Sequence, residues 1–157
     1  MMRFISFLLF LSVFNTHSFA QNYDVAAYLF HKSIEDAQKD VGKEFFYFNE
    51  RATELNLKIL KFAINKNKKY IDSLQVYKNG DNYYKTTKNL FAMYKDITDN
   101  EYEALLKIIE DPNLDAKDFK IKKIAIFDSI KKKTAIVFPP FKDAQQQFCK
   151  NYNIKIE

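Results

Sequence analysis

Glycine is nearly missing from this chain: Gly42 and Gly80 are the only two in 157 residues, and the prolines are Pro112, Pro139 and Pro140. An all-β fold needs a turn every eight to twelve residues and the residues that make them, so this scarcity excludes one. Cys149 is the single cysteine, which rules out an internal disulfide and leaves stability to the core. It reads either as a buried thiol beside Phe148, because free cysteine packs as a small hydrophobe, or as half of an intermolecular bridge. Tryptophan is absent, and His17 and His31 are the only histidines. A di-iron bundle needs two Glu-x-x-His pairs on different helices and is excluded. Nor does the sequence hold a Gly-rich phosphate loop, a Gly-x-Ser-x-Gly elbow, a Cys-x-x-Cys-His haem site or an Asn-x-Ser/Thr sequon.

What remains is apolar, aromatic and charged. Apolar residues make up 47% of the chain, enough for one domain with its own core. The first 20 residues stand apart. Arg3 begins a short positive region, Phe4 to Phe14 is an apolar run, and Ser18-Phe19-Ala20 carries small residues where a signal peptidase cuts. Residues 1–20 are expected to be a signal peptide cleaved before Gln21. The competing reading, a retained anchor, is short of a membrane span. No cysteine follows the run at a lipidation position. The remaining chain, 21–157, would be one exported helical domain, periplasmic or extracellular.

Large residues then recur at steps of three and four, the period of one helix face. Ala27, Phe30, Ile34, Ala37, Val41, Phe45, Phe48, Ala52 and Leu55 place a first helix from Asp24 to about Asn49; Leu60, Ile64, Ile71, Leu74 and Tyr77 place a second. One unbroken rod to Lys78 would be about 80 Å long, too long for a compact domain of this size, so a turn is expected between Asn49 and Thr53. Lys78-Asn79-Gly80-Asp81 ends the second helix, with a glycine able to take positive φ and Asp81 as the next cap. Tyr84 to Ile109 carries a third stripe. Thr98-Asp99-Asn100-Glu101 matches a capping box inside it, yet the stripe continues to Glu110, and Asp111-Pro112 stops it. Asp115 caps a fourth helix, whose face includes Phe127, Ile130, Thr134, Val137, Phe141, Ala144, Phe148 and Tyr152. This spacing passes through Pro139 and Pro140, where a kink or a restart is expected.

The expected fold is therefore an all-α, antiparallel up-down four-helix bundle. Net charge alternates along it: −2 for 21–49, +4 for 50–78, −3 for 79–111 and +5 for 112–157. Neighbours of opposite sign disfavour wrong pairings.

Few residues suggest chemistry. Lys120, Lys122, Lys123 and Lys131-Lys132-Lys133 fit an anionic partner, but the reading preferred from sequence is a solvated face that neutralises acidic neighbours; nucleic acid is not expected. His31 and Glu35 read as a surface pair one turn apart. Glu50 and Glu54 read as ordinary acids of a helix, and Cys149 has no histidine that the sequence places beside it. No catalytic, cofactor-binding or metal-binding residue is expected. The 26 Tyr and Phe are the unusual feature. Phe45-Phe46-Tyr47-Phe48 and Tyr83-Tyr84 put rings on more than one helix face, so the surplus would line an apolar pocket or a partner surface. The candidates are Phe46, Tyr47, Tyr83, Tyr84, Phe138 and Phe141, the last two beside the prolines.

Leu90-Phe91-x-x-Tyr94-Lys95-x-Ile97 with Glu101-Tyr102, and the ending Phe141-x-x-Ala144-Gln145-x-x-Phe148-x-x-x-Tyr152-x-Ile154, resemble an uncharacterised family of exported bacterial proteins often described as surface lipoproteins. The resemblance implies a helical fold and export, and brings no catalytic residues; the chain departs from the family in lacking a lipidation cysteine. Two functions follow as expectations: an interaction module of the bacterial envelope or surface, or a carrier or sensor of a small apolar ligand held among aromatics. An enzyme is the third.

Overall fold

The computed structural model describes residues 24–156, and the expected signal peptide lies outside them. The described chain is an all-α four-helix bundle. Helix α1 spans Val25–Glu50, α2 Glu54–Ser73, α3 Asp81–Ile97, α4 Glu103–Glu110 and α5 Ala116–Asn151. A five-residue π-helical turn, Thr98–Tyr102, joins α3 to α4, so the two form one rod.

Side-chain acceptors begin most of the helices by satisfying N–H groups that have no partner in the first turn. The Asp24 carboxylate accepts from the amides of Ala26 and Ala27, Thr53 Oγ1 from Asn56, and Asp115 from Lys117 and Asp118. Gly80 is the exception. It occupies the cap of α3 with no side chain and φ of −91°, while Asn79 carries the left-handed φ of 53°. The expected roles of this turn are thus exchanged: asparagine tolerates the left-handed region, and glycine is needed for space. A Cβ at Gly80 would lie 2.7 Å from the Tyr77 carbonyl oxygen and 3.2 Å from the Phe30 ring.

The contacts between neighbouring helices run in opposite order. Asp24 meets Tyr77, and Asp40 meets Lys66 and Asn67. Asp72 meets Lys88, and Lys61 meets Asp99 and Glu103. Tyr83 meets Phe148, and Glu101 meets Ser129 and Lys133. In each series one residue number rises as the other falls. Several of these are ion pairs across helix boundaries, so the alternating charge of the sequence is realised as bridges. Exposed pairs contribute at most about 1 kcal/mol each and act more on pairing choice than on stability.

Rings fill the interior at both ends. Near the start of α1, Phe30, Tyr83, Phe141, Phe148 and Tyr152 contact one another with centroids 4.9 to 6.1 Å apart. At the other end Phe48 stacks on Tyr102 at 4.5 Å, and Phe45 meets Tyr94 and Tyr102 edge-on. Such pairs add to the burial of their large apolar surface.

Three expectations need correction. Helix α2 stops at Ser73, not Lys78; Leu74 is extended, which lets Leu74 and Tyr77 fold back onto the core from a loop. Leu55 does not continue the α1 stripe but begins a different face of α2, because the turn at Arg51–Thr53 resets the helix phase. The terminal stripe is buried only at Phe141, Ala144 and Phe148; Phe127 is 42% exposed, and Ile130, Thr134 and Val137 are half-buried. Between Leu106 and Phe141 no residue is buried at all.

Helix α5 stays helical through both prolines. Each lacks an N–H, so the carbonyls of Ala135 and Ile136 lose their usual donors. Both residues are exposed, and water can take those carbonyls.

Candidate functional site

The six aromatic candidates do not form one site. Tyr83 and Phe141 lie in the core, with ring centroids 5.8 Å apart. Phe138 is half-buried against that core. Tyr84 is half-buried on α3, its hydroxyl donating to the Asp72 carbonyl at 3.3 Å and Lys88 lying over its ring. Phe46 and Tyr47 are exposed near the end of α1, their rings 5.9 Å apart.

A stripe not expected from the sequence lies on α2. Leu55, Ile59 and Phe62 stand at i, i+4 and i+7 on α2 and are 66%, 42% and 71% exposed. Successive 100° steps put them opposite Leu57, Leu60, Ile64 and Ile71, the face of α2 that enters the core. So α2 is apolar on two opposite sides. The stripe is about 10 Å long, bordered by Lys58, Lys66 and Lys69, and it lies at the same end of the α1–α2 hairpin as Phe46 and Tyr47. Its spacing was readable in the sequence. It was missed because Leu55 had been absorbed into the preceding stripe.

A second feature is a groove of about 440 Å³ between the start of α1 and the loop after α2. Its wall is mixed: Leu29, Phe30, Leu74 and Val76 are apolar, while Ser33, Gln75 and Lys78 are polar. Tyr77 donates to Asp24 at 2.5 Å at its edge; that bond lowers the Asp24 pKa and raises the phenol to about 12.

A third is polar and buried. His31, expected on the surface with Glu35, faces inward because it lies on the same side of α1 as Ala27 and Ile34. Its Nδ1 lies 3.0 Å from the Tyr83 hydroxyl in a buried hydrogen bond. Glu35 pairs with Lys32 and Lys39 instead. Burial pushes the Tyr83 phenol well above its ordinary range. Cys149 is buried, as its hydrophobic character suggested, and burial first, then the Glu35 charge, push its thiol up to about 11. A protonated thiol is a poor nucleophile, so this cluster is suited to packing. Glu50 and Glu54 lie on different helices, the last residue of α1 and the first of α2.

No family model, curated protein or solved structure compared with this chain matches it. The geometry therefore stands by itself. Among the described residues, no three His, Cys, Asp or Glu side chains gather where a metal ion would bind, and no helix is long and apolar enough to cross a membrane.

The lysine runs divide. Lys133 turns inward to Asp96 and Glu101, as neutralisation of acidic neighbours requires, and sits 2.7 Å from Glu101 Oε1. Lys123 lies over the rings of Phe119 and Phe127. Among the described residues, Lys120, Lys122, Lys131 and Lys132 have no carboxylate at ion-pair distance.

Proposed function

We propose that this is an exported, non-enzymatic interaction module of a bacterial envelope or surface, which engages a partner protein through the outward face of α2. The observation that carries the reading is the stripe Leu55, Ile59 and Phe62, a second apolar face opposite the core. Large side chains aligned at helix spacing and left in water mark a contact surface. Phe46 and Tyr47, exposed near the same end of the α1–α2 hairpin, add large rings typical of interface anchors. Export rests on the apolar run of the first 20 residues and on the resemblance to exported helical proteins. The protonated, buried Cys149 favours a structural role for the most reactive side chain.

A photo-crosslinking residue at position 62, expressed in the native host, tests the reading. The expected result is an adduct of one defined mass in the envelope or extracellular fraction, absent from position 110 and lost with Leu55→Ser. Recovery of the unprocessed chain in the cytoplasm, or equal crosslinking at 62 and 110, would sink it. Mass spectrometry of the exported protein should find Gln21 at its N-terminus.

The groove beside Asp24 favours a second reading, a carrier of a small apolar ligand, since its volume falls within the range of ligand pockets, roughly 300 to 1,000 Å³. Native mass spectrometry of freshly purified protein distinguishes the two: a bound apolar molecule displaced by Leu29→Lys supports the carrier, and a clean mass supports the interaction module.

A further inference from the structure

The first half of α5, residues 116–138, is a helix held by its edge. Its half-buried side chains, among them Ile126, Ile130 and Val137, lean on the bundle without any of them being enclosed. The opposite arc is in water. Successive 100° steps bring Lys117, Lys120, Ile121, Ile124, Lys131 and Lys132 onto that arc together with Asp128, and Asp118, Phe127 and Ile136 lie at its borders, so lysines outnumber acids on it four to one. Ile121, Ile124, Phe127 and Ile136 are all exposed, Ile136 at 74%. The segment holds seven lysines against two aspartates; Lys133 is spent on acidic residues of the bundle, while among the described residues Lys120, Lys131 and Lys132 have no carboxylate at ion-pair distance.

The interleaving of the two residue types selects the partner. A nucleic acid or acidic glycan would satisfy the ammonium groups and leave four large apolar side chains in water. An acidic protein would ordinarily meet a contiguous apolar patch ringed by charge, as on α2. An anionic bilayer satisfies both types at once: isoleucine and phenylalanine enter the boundary between headgroups and acyl chains, while lysine stems run along the surface and place their charges at the phosphates. We infer that residues 116–138 of α5 form a peripheral docking face for an anionic phospholipid surface. This face is separate from the α2 stripe, and each can be altered without touching the other.

Co-sedimentation with lipid vesicles tests the assignment. The protein is expected to pellet with phosphatidylglycerol vesicles and not with phosphatidylcholine vesicles, and to lose affinity as salt screens the lysines. Lys120→Gln and Lys131→Gln are each expected to weaken binding about five-fold. The double variant Ile121→Ser with Ile124→Ser should keep the helical circular dichroism of the parent, since both side chains are exposed, and lose at least ten-fold in vesicle binding. Heparin, a polyanion with no apolar phase, should be bound equally by that double variant and the parent. No pelleting with phosphatidylglycerol at low salt would overturn the inference. So would unchanged vesicle binding by the isoleucine double variant, or heparin binding tighter than vesicle binding.

Discussion

The two glycines offer a test in which the same substitution should act with opposite sign. Alanine at position 80 would place a methyl group 2.7 Å from the Tyr77 carbonyl oxygen, 3.2 Å from Phe30 Cε1 and 3.4 Å from Phe148 Cε2. The nearest atom belongs to the backbone and accepts the Gly80 amide at 2.8 Å, so it cannot rotate away. The φ of −91° suits alanine, which leaves crowding as the cost. Overpacking of this kind costs about 1 to 3 kcal/mol. The restricted unfolded chain returns about 0.4 to 1 kcal/mol. From the midpoints of these two ranges the net expectation is a loss of about 1.3 kcal/mol. Gly42 lies inside α1 with nothing within 4 Å of an added Cβ. Alanine there removes the glycine penalty of a helix interior and should stabilise by about 0.5 to 1 kcal/mol. For a domain of this size each kcal/mol moves Tm by roughly 3 to 5 °C. Thermal melts followed by circular dichroism should therefore show Gly80→Ala below the parent and Gly42→Ala above it. If both move the same way, or if Gly80→Ala melts within about 1 °C of the parent, the close-approach account of the Asn79–Gly80 turn is wrong.

Three further outcomes are expected. Phe48→Ala removes a fully buried ring stacked on Tyr102 and should cost about 3 to 5 kcal/mol in urea unfolding; a cost under about 1 kcal/mol would mean that this end of the core is loosely packed. The Asp40 carboxyl is held below its ordinary 3.8, first by the Asn67 amide and then by Lys66. Its contribution is therefore present above the unfolded pKa and is lost as pH falls through the folded one. Asp40→Asn should be less stable than the parent at neutral pH by under about 1 kcal/mol, discounted because the pair is partly exposed. The gap should close below pH 3.8, and a gap that persists into strong acid would refute the assignment. Cys149, with its thiol raised to about 11, should resist iodoacetamide at mildly alkaline pH and react once guanidinium unfolds the chain; mass spectrometry finding equal labelling in both states would show that the thiol is accessible.

How far the sequence could be read depended on the kind of signal. Helix faces were legible because a period of three and four repeats many times, and the cap Asp115 was legible because a side-chain acceptor acts locally; Asp81, expected as a cap, is instead the first residue of α3 behind Gly80, and Thr53 caps α2 where only a turn was expected. Asp111-Pro112 stopped the third helix as expected. Depth was not legible. Ile130, Thr134 and Val137 carry the same spacing as Phe141, Ala144 and Phe148, yet only the second group has helices on enough sides to be enclosed. His31 was misplaced for the converse reason: its type suggested the surface, while its position on the α1 face placed it against Tyr83. The capping box at Thr98 proved to be a π turn, where Thr98 Oγ1 bonds back to the Tyr94 carbonyl and the rod continues. The α2 stripe was visible as spacing, but nothing local says which of two apolar faces will turn inward.

The adjacent prolines in α5 also divide its cooperativity. On their C-terminal side Phe141, Ala144, Phe148 and Cys149 are locked among the other helices; on their N-terminal side no residue is enclosed. A missing pair of helical hydrogen bonds lies at that boundary, so unwinding that begins near Ala116 has a place to stop before it reaches the core. The bundle thus has a stable body and an appended segment that opens at lower free energy. Backbone amides before Ala135 should exchange with deuterium well ahead of those after Phe141. A helix that can loosen alone can also adapt to whatever it lies against while the rest of the protein keeps its shape.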